Sequence, residues 1–287
     1  MGVKATLAAH DARPQKKWGQ NFLTDARILA SIASAADITS NDTVLEIGPG
    51  LGHLTRVLAA RAARVIAVEI DAKLTSKLQT EFSNTPNVHI THGDILKADP
   101  LAWIQSADAA GAPVNEYKVV ANLPYYITSA ILRHLLEAEH KPAVVVVMVQ
   151  REVAQRIIAR PPDMNLLAVS VQCFAQARIV RTIAAGAFYP RPKVDSAVMR
   201  LDVFPKATMP IQETQDFFSV VRAGFGEKRK QLRNSLASGL TIPPQVAEQL
   251  LFAAGIDPSR RAETLGLDEW GTLHRHWVRM NMHGVDE

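Results

Sequence analysis

The sequence has a single cysteine, Cys173, in 287 residues. An internal disulfide bond is therefore impossible, and a four-cysteine zinc site is excluded. Long apolar runs are also missing: the longest, Ala143–Val149, has seven residues, whereas a membrane-spanning helix needs about 20. This run is typical of a buried strand. We expect a cytoplasmic protein with no membrane span and no secretory signal in residues 1–14.

Closely spaced histidines are few, and none indicates a metal centre. His89 and His92 form one pair, and His274 and His276 form another. Neither pair is accompanied by acidic or sulfur ligands at a spacing that zinc sites use. The sequence therefore predicts no bound metal.

Hydrophobic residues make up 47% of the chain and charged residues 21%, with a net charge of +4. These values are typical of a globular protein, and the length suits about two domains. The positive charge is concentrated in three clusters, which favours a surface that tracks phosphates. The alternative is three solvated faces that never meet. The clusters are Lys4, Arg13, Lys16 and Lys17; Arg178, Arg181, Arg191, Lys193 and Arg200; and Arg222, Lys228, Arg229, Lys230 and Arg233.

The first two hundred residues alternate between short strand patterns and helical patterns. Such alternation predicts βαβ units on a mostly parallel, doubly wound sheet covered on both faces. Ligands of such sheets bind beyond the carboxyl ends of the strands. The predicted strands are Thr43–Ile47, Val65–Ile70, Val88–Thr91, Tyr117–Ala121 and Ala143–Gln150, and the predicted helices are His53–Arg61, Lys73–Phe82 and Glu152–Arg160.

The character of the sequence changes near residue 204. Before it, Val194–Val203 alternates in polarity and predicts a late antiparallel strand. After it, four helical patterns follow one another. We therefore predict an α/β domain over residues 1–203, with a basic N-terminal arm, and a small all-α RNA-binding domain over 204–287. The four helices are Asp216–Phe225, Lys228–Leu236, Pro244–Ala253 and Asp268–Met280.

A glycine turn, Gly48-Pro-Gly-Leu-Gly52, follows the first predicted strand. It is not a dinucleotide fingerprint, which would need another glycine at position 53. Glu69, at the end of the second strand, can accept both hydroxyls of a ribose, and Asp94, after the third, can accept from an adenine amino group. Together these positions favour S-adenosylmethionine over NAD, because no phosphate-binding helix start is required. The alternative is that Glu69 and Asp94 only cap the following helices.

The tetrapeptide Asn122-Leu-Pro-Tyr125 follows the fourth predicted strand. The exocyclic amine of adenine is a poor nucleophile because its lone pair is delocalised into the ring. The Asn122 side-chain oxygen and the Leu123 backbone carbonyl can accept its hydrogens and localise that lone pair. Tyr125 offers a flat face on which the base can stack, an interaction worth about 1–3 kcal/mol. The motif therefore predicts methyl transfer to an adenine amine.

With these motifs the chain resembles the ribosomal RNA adenine N6-dimethyltransferase family, and within it the group that acts on bacterial 16S rRNA. The resemblance covers nearly the whole chain in order and implies a Rossmann-like class I methyltransferase fold. Further matching stretches are Lys16–Leu23, Leu45–Gly52, Val68–Asp71, Gly93-Asp94, Gln150–Val153, Phe188–Ser196, Arg229–Ser235 and Gly255–Glu263.

The resemblance implies a role for each matched position. The cofactor pocket would be lined by Asn21, Leu23, Gly48, Glu69, Asp94 and Asn122. Phe188 would close on the target adenine opposite Tyr125, although its position beside Pro190 also suits ordinary core packing. The implied reaction adds two methyl groups to each of two adjacent adenines near the 3′ end of 16S rRNA. The implied partner is the assembling 30S subunit, and the protein itself would be monomeric.

Two positions depart from the family pattern. Tyr126 stands where many relatives have Asn or His, and Met164-Asn165 stands where relatives often have Tyr-Gly before a strand, here Leu167–Val169. Two other functions stay open. One is a large-subunit rRNA methyltransferase of the macrolide-resistance type, against which the stretch Gly255–Arg261 argues. The other is a non-enzymatic RNA-binding assembly or transcription factor.

Overall fold

A computed structural model describes residue 15 and residues 19–23, 25–106, 116–205 and 214–283. The chain divides into two compact units. The first comprises residues 1–154 and 176–205, and the second comprises residues 155–175 and 206–287. The sequence analysis assigned residues 155–175 to the first domain, whereas here they cluster with the C-terminal helices.

The described residues contain nine strands and eleven α-helices. The strands are β1 (Phe22–Leu23), β2 (Thr43–Ile47), β3 (Arg64–Glu69), β4 (Val88–His92), β5 (Lys118–Asn122), β6 (Val144–Gln150), β7 (Ala175–Ile183), β8 (Phe188–Tyr189) and β9 (Ser196–Val203). The helices are α1 (Ala26–Ala35), α2 (His53–Ala59), α3 (Ala72–Glu81), α4 (Pro100–Ser106), α5 (Thr128–Glu137), α6 (Arg151–Ile157), α7 (Leu166–Gln172), α8 (Thr214–Phe225), α9 (Leu232–Leu240), α10 (Pro244–Ala253) and α11 (Leu267–His283).

Seven strands form one sheet in the order β4-β3-β2-β5-β6-β9-β7. The pairs β4–β3, β3–β2, β2–β5 and β5–β6 are parallel, and β9 runs antiparallel to β6. The predicted fold class, a mostly parallel Rossmann-like sheet followed by C-terminal helices, is confirmed. The strand order reverses between β2 and β5. In open α/β sheets such a reversal leaves a crevice at the carboxyl ends of the strands, and ligands bind there.

Burial of the central strands explains their composition. Parallel strands covered on both faces become continuous apolar runs, and residues 145–149 of β6 are all buried. Helix α1 contributes one apolar side, formed by Ile28, Leu29, Ile32 and Ala33. Asp25 caps this helix by accepting from the Arg27 backbone N–H at 2.8 Å, so the capping residue fixes where the helix begins.

Two sequence predictions for the second unit were wrong. Residues 167–169 belong to α7 and not to a strand, because Asn165 caps that helix by accepting from the Ala168 N–H. Helix α9 begins at Leu232 and not at Lys228. Residues 228–230 instead form a turn that is closed by a hydrogen bond from the Lys230 N–H to the Glu227 carbonyl.

No helix in the described residues combines the length and the apolar composition that crossing a membrane requires. The same residues contain no group of three or more His, Cys, Asp or Glu side chains placed to share a metal ion.

Candidate active site

A cavity opens at the carboxyl ends of β2, β3 and β5, the edge at which the sequence predicted a site. Seven of the predicted residues line it: Asn21, Leu23, Gly48, Glu69, Asn122, Leu123 and Tyr125. They come from segments that are far apart in the chain. The parallel sheet brings together those that follow β2, β3 and β5 because it aligns the ends of these strands, and Asn21 and Leu23 come from the segment that contains β1.

The glycine turn forms one wall of the cavity. Gly48, Gly50 and Gly52 have φ angles of +67°, +59° and +71°, a region that side chains with a Cβ rarely adopt. A Cβ built on Gly48 would meet no atom within 4 Å. The backbone at this point therefore faces open space, into which a ligand can approach closely.

Glu69 holds this turn in place. Its Oε2 accepts from the Gly50 N–H at 3.0 Å, and its Oε1 accepts from the Asp71 N–H at 2.9 Å. The side chain is buried, and burial raises the pKa of its carboxyl above the ordinary value. Helix α3 is capped by the Asp71 side chain and not by Glu69. Glu69 thus supports the turn while it faces the cavity.

Asp94 is placed differently. It follows β4, and its Oδ1 accepts from the Leu96 N–H at 3.1 Å, which caps a short 3₁₀ helix over residues 95–97. It is not among the residues that line the cavity. Asp94 therefore has the helix-capping role that the sequence analysis gave as the alternative. Its contact with adenine stays a prediction.

The predicted amine-binding motif follows directly after β5. The Asn122 side-chain Nδ2 donates to the Asn21 carbonyl at 3.0 Å. The Leu123 N–H donates to the Met148 carbonyl on β6 at 3.3 Å, so the motif is anchored to the sheet. The Tyr125 hydroxyl lies 2.6 Å from the Ser196 Oγ on β9. Burial raises the pKa of this phenol above its ordinary value.

The segment before α1 closes another side of the cavity through a two-stranded ribbon. In it Leu23 pairs with Phe188 and Phe22 pairs with Tyr189. Phe188 is buried in the same apolar cluster as Leu23 and is not among the cavity-lining residues. The structure thus places this ring in core packing, the alternative in the sequence analysis, and its stacking on adenine stays a prediction.

The sequence analysis missed Glu46, which lies in β2 and lines the cavity. Only 1% of it is exposed, and its Oε2 has no hydrogen-bond partner. Burial, with a smaller contribution from the charge of Glu69, raises the pKa of the Glu46 carboxyl to about 8. A charged residue inside an otherwise apolar strand was the signal that could have revealed it.

The basic clusters are not equivalent in the structure. Arg200 binds Asp37 and Asp202, and only 13% of its side chain is exposed, so it is committed to structural ion pairs. Lys230 and Arg233 pair with Glu227 and Glu248. Exposed basic side chains of these clusters for which no ion pair is seen within the described ranges are Arg181, Arg191, Lys193, Arg222, Lys228 and Arg229. Of these, Arg181 donates to the Ser31 hydroxyl. The N-terminal cluster lies outside the described residues.

The chain is similar to known proteins over most of its length. Residues 12–276 match the family described as ribosomal RNA adenine dimethylase. The ribosomal RNA small subunit methyltransferase A of Dehalococcoides mccartyi is 47% identical over 271 residues, which cover 94% of this chain and 91% of that protein.

Two crystal structures are similar over most of the chain. The 23S rRNA methyltransferase ErmE has a TM-score of 0.68 and 29% identity over 89% of this chain and 98% of its own. A dimethyladenosine transferase from Plasmodium falciparum has a TM-score of 0.75 and covers 92% of this chain and 98% of its own. At 24% identity, the second structure supports the fold alone. The match over residues 12–276 and the 47% identity establish the relationship: the chain belongs to the ribosomal RNA adenine dimethylase family.

Proposed function

We propose that the protein transfers methyl groups from S-adenosylmethionine to N6 of two adjacent adenines near the 3′ end of 16S rRNA, two to each adenine, during small-subunit assembly. Family membership makes the chain an S-adenosylmethionine-dependent rRNA adenine dimethyltransferase. One observation carries the finer proposal: the Asn122 amide is fixed by the Asn21 carbonyl in the cavity that also contains the glycine turn and Glu69.

The cavity suits the cofactor in shape and in charge. The open space at Gly48 admits a close backbone contact, and Glu69 presents a buried carboxylate that can accept from ribose hydroxyls. Asn21 and Leu23 would cover the ligand from the side of the two-stranded ribbon, and Asp94 would contact its base. When bound, S-adenosylmethionine supplies a methyl group on a positively charged sulfur.

Asn122 and Leu123 would prepare the adenine amine. Because the Asn122 Nδ2 already donates to Asn21, its Oδ1 is the atom available as an acceptor. The Leu123 carbonyl can provide the second acceptor. Two acceptors on one amine pull its nitrogen toward tetrahedral geometry, and no strong base is needed because the proton leaves after attack. The chain's contribution is therefore positioning and electrostatics.

Tyr125 would supply the stacking surface for a base that has been splayed out of the RNA. Its hydroxyl contact with Ser196 fixes the ring, so little side-chain entropy is lost when the base binds. Phe188 would complete an aromatic sandwich only if its ring left the core cluster in which it lies.

The exposed cations of the second unit would bind the RNA backbone. Lys228 and Arg229 lie in the turn before α9, and Arg222 is exposed near the end of α8. Arginine and lysine side chains that neutralise phosphates release counterions and so favour RNA binding. We place the protein in the cytoplasm as a monomer whose partner is the assembling 30S subunit.

A second candidate function is methylation of large-subunit rRNA, because the chain is similar to the 23S rRNA methyltransferase ErmE. Mass spectrometry of adenines from isolated small and large ribosomal particles, each treated with the protein and labelled cofactor, separates the two functions. We expect dimethyladenosine in 16S rRNA alone. Dimethyladenosine confined to 23S rRNA would overturn the small-subunit assignment. The other alternative is a non-enzymatic RNA-binding assembly or transcription factor. Calorimetric titration with S-adenosylmethionine tests it, because a purely structural factor need not bind this cofactor.

A further inference from the structure

We propose that Glu46 couples cofactor binding to proton release: the carboxyl is protonated in the free enzyme and gives its proton to solvent when the cationic donor enters the cavity. This inference rests on the proposed function, because it takes S-adenosylmethionine as the ligand. It assigns Glu46 the role of distinguishing the charged donor from the uncharged-sulfur product.

The first observation concerns the surroundings of Glu46. The residue lies between β3 and β5, where its neighbours across the sheet are Ala67 and Val120. Both neighbours are fully buried. Its Oε2 has no partner, although an isolated carboxylate in an apolar interior is costly. A neutral carboxylic acid is the form that such surroundings favour in the absence of ligand, and the carboxyl pKa of about 8 agrees.

The second observation concerns the charges that face Glu46. The ionisable residues among the described cavity lining are Glu46, Glu69, His53 and Tyr125. No lysine or arginine of the described ranges lines the cavity. Thr55 of α2 contributes a hydroxyl beside Glu46 that favours the charged form, while the Glu69 charge opposes it. The part of the lining that the structure describes therefore holds two buried acids and no lysine or arginine. A cationic ligand supplies the positive charge that these side chains do not.

Proton and charge balance follow from the ligand's chemistry. S-adenosylmethionine carries one more positive charge than S-adenosylhomocysteine, because methyl transfer converts its sulfonium to a neutral thioether. Binding of the donor lowers the pKa of the Glu46 carboxyl, so COOH becomes COO⁻ and the proton leaves to solvent. When the methyl group has moved, the positive charge is gone and Glu46 takes a proton back. The cavity then holds the product less tightly than the donor.

Calorimetric titration in two buffers of different ionisation enthalpy counts the protons directly. At pH 7 a carboxyl of pKa about 8 is about nine-tenths protonated, so we expect about 0.9 proton released per S-adenosylmethionine bound. Release should fall as the pH rises past 8. With S-adenosylhomocysteine we expect much smaller release. Equal release with both ligands, or none with the donor, would overturn the inference.

The isosteric substitution Glu46→Gln assigns the proton to this residue. It should abolish the release and, at pH 7, reduce the preference for donor over product by about tenfold if donor binding lowers the carboxyl pKa by about two units, because only the part of the shift below the working pH contributes. Glu139→Gln, which removes an exposed carboxyl from the same unit, should change neither quantity. Unchanged release in Glu46→Gln would show that another group, such as Glu69, is the source.

If Glu46→Gln does not fold, the wild-type comparison still tests whether the donor alone releases a proton. A release that does not decline as the pH rises past 8 would then overturn the assignment to Glu46. Failure of the proposed function is distinguishable as well. Donor binding without proton release overturns the role of Glu46 alone, whereas absence of any binding of S-adenosylmethionine overturns both.

Discussion

The side-chain amide of Asn122 donates to the backbone carbonyl of Asn21, 101 residues earlier in the chain, at 3.0 Å. The bond joins the end of β5 to the segment just before β1. It also decides which end of the amide is used, because the nitrogen is engaged and the oxygen is left as an acceptor. This one hydrogen bond therefore fixes the position of two parts of the site: the segment that covers the cavity and the residue that would polarise the substrate amine.

Removing the Asn122 amide should nearly abolish methylation while cofactor binding stays measurable. We expect Asn122→Ala to lower the methylation rate by about 10²–10³-fold, the cost typical of losing one preorganised polar group at a reacting centre. Methylation of 16S rRNA with labelled cofactor measures the rate, and calorimetry measures binding. The control is Asn41→Ala in an exposed turn, which should behave as wild type. Full activity in Asn122→Ala would remove the amine-polarising role.

Gly19 holds the covering segment in a left-handed conformation, with φ of +59°. Its carbonyl accepts from the Asn21 side chain at 3.0 Å, and a Cβ would lie 3.3 Å from the Tyr126 ring. Gly19→Ala should cost about 1–2 kcal/mol in backbone strain and weaken cofactor affinity by about tenfold. Gly186→Ala is the matched control because its Cβ meets no atom within 4 Å. Equal affinities in the two variants would contradict the prediction.

Tyr125 combines a ring and a hydroxyl that substitutions can separate. Tyr125→Phe removes only the contact with Ser196 and should cost about 1 kcal/mol of stability, with modest loss of rate. Tyr125→Ala also removes the stacking face and should lower kcat/KM by about 5–150-fold, which corresponds to about 1–3 kcal/mol. Steady-state kinetics with small-subunit particles measures both. If both variants lost the same activity, the ring would have no role beyond its hydroxyl.

Arg200 and Arg229 belong to different sequence clusters and should behave differently. Arg200→Ala breaks the contacts with Asp37 and Asp202 and should lower the free energy of unfolding by about 1–3 kcal/mol, as measured by urea denaturation. Arg229→Ala should leave stability within about 0.5 kcal/mol. It should weaken RNA binding and reduce the salt dependence of affinity by about one unit of slope. Filter binding at several KCl concentrations checks this, and an unchanged slope would speak against phosphate contact.

His274 should make the second unit less stable in mild acid. Its side chain is buried beside Phe217, with ring centroids 5.6 Å apart, and burial lowers the pKa of its imidazole below the ordinary 6.5. The unfolded chain therefore binds a proton at a higher pH than the folded one. Stability is fully present above about pH 6.5 and falls as the pH drops through that value toward the folded pKa.

Urea unfolding between pH 7.5 and pH 5 measures this dependence. His274→Gln should flatten the decline, and His276→Gln on the same helix serves as the control. A decline of the same steepness in wild type and His274→Gln would assign the acid sensitivity to other groups.

The hydrophobic pattern identified the parallel strands because a strand that is buried on both faces needs apolar residues at nearly every position. The continuous apolar run that forms β6 was predicted on that ground, whereas β9 was predicted from its alternating polarity. Periodicity failed at Leu167–Val169, where three apolar residues suit a strand or a helix equally. The Asn165 cap, a contact between a side chain and a backbone N–H, decided for the helix.

The sequence by itself determined the fold class, the family and the residues that follow the strands, since these depend on local pattern and on motifs such as Asn122–Tyr125. Only the tertiary structure decided that Asp94 caps a helix, that Phe188 lies in the core, that Arg200 is ion-paired, and that Glu46 lines the cavity with no hydrogen-bond partner for its Oε2. The physical reason is that burial and pairing are properties of neighbours that are distant in the chain, and no local pattern records which neighbours these are.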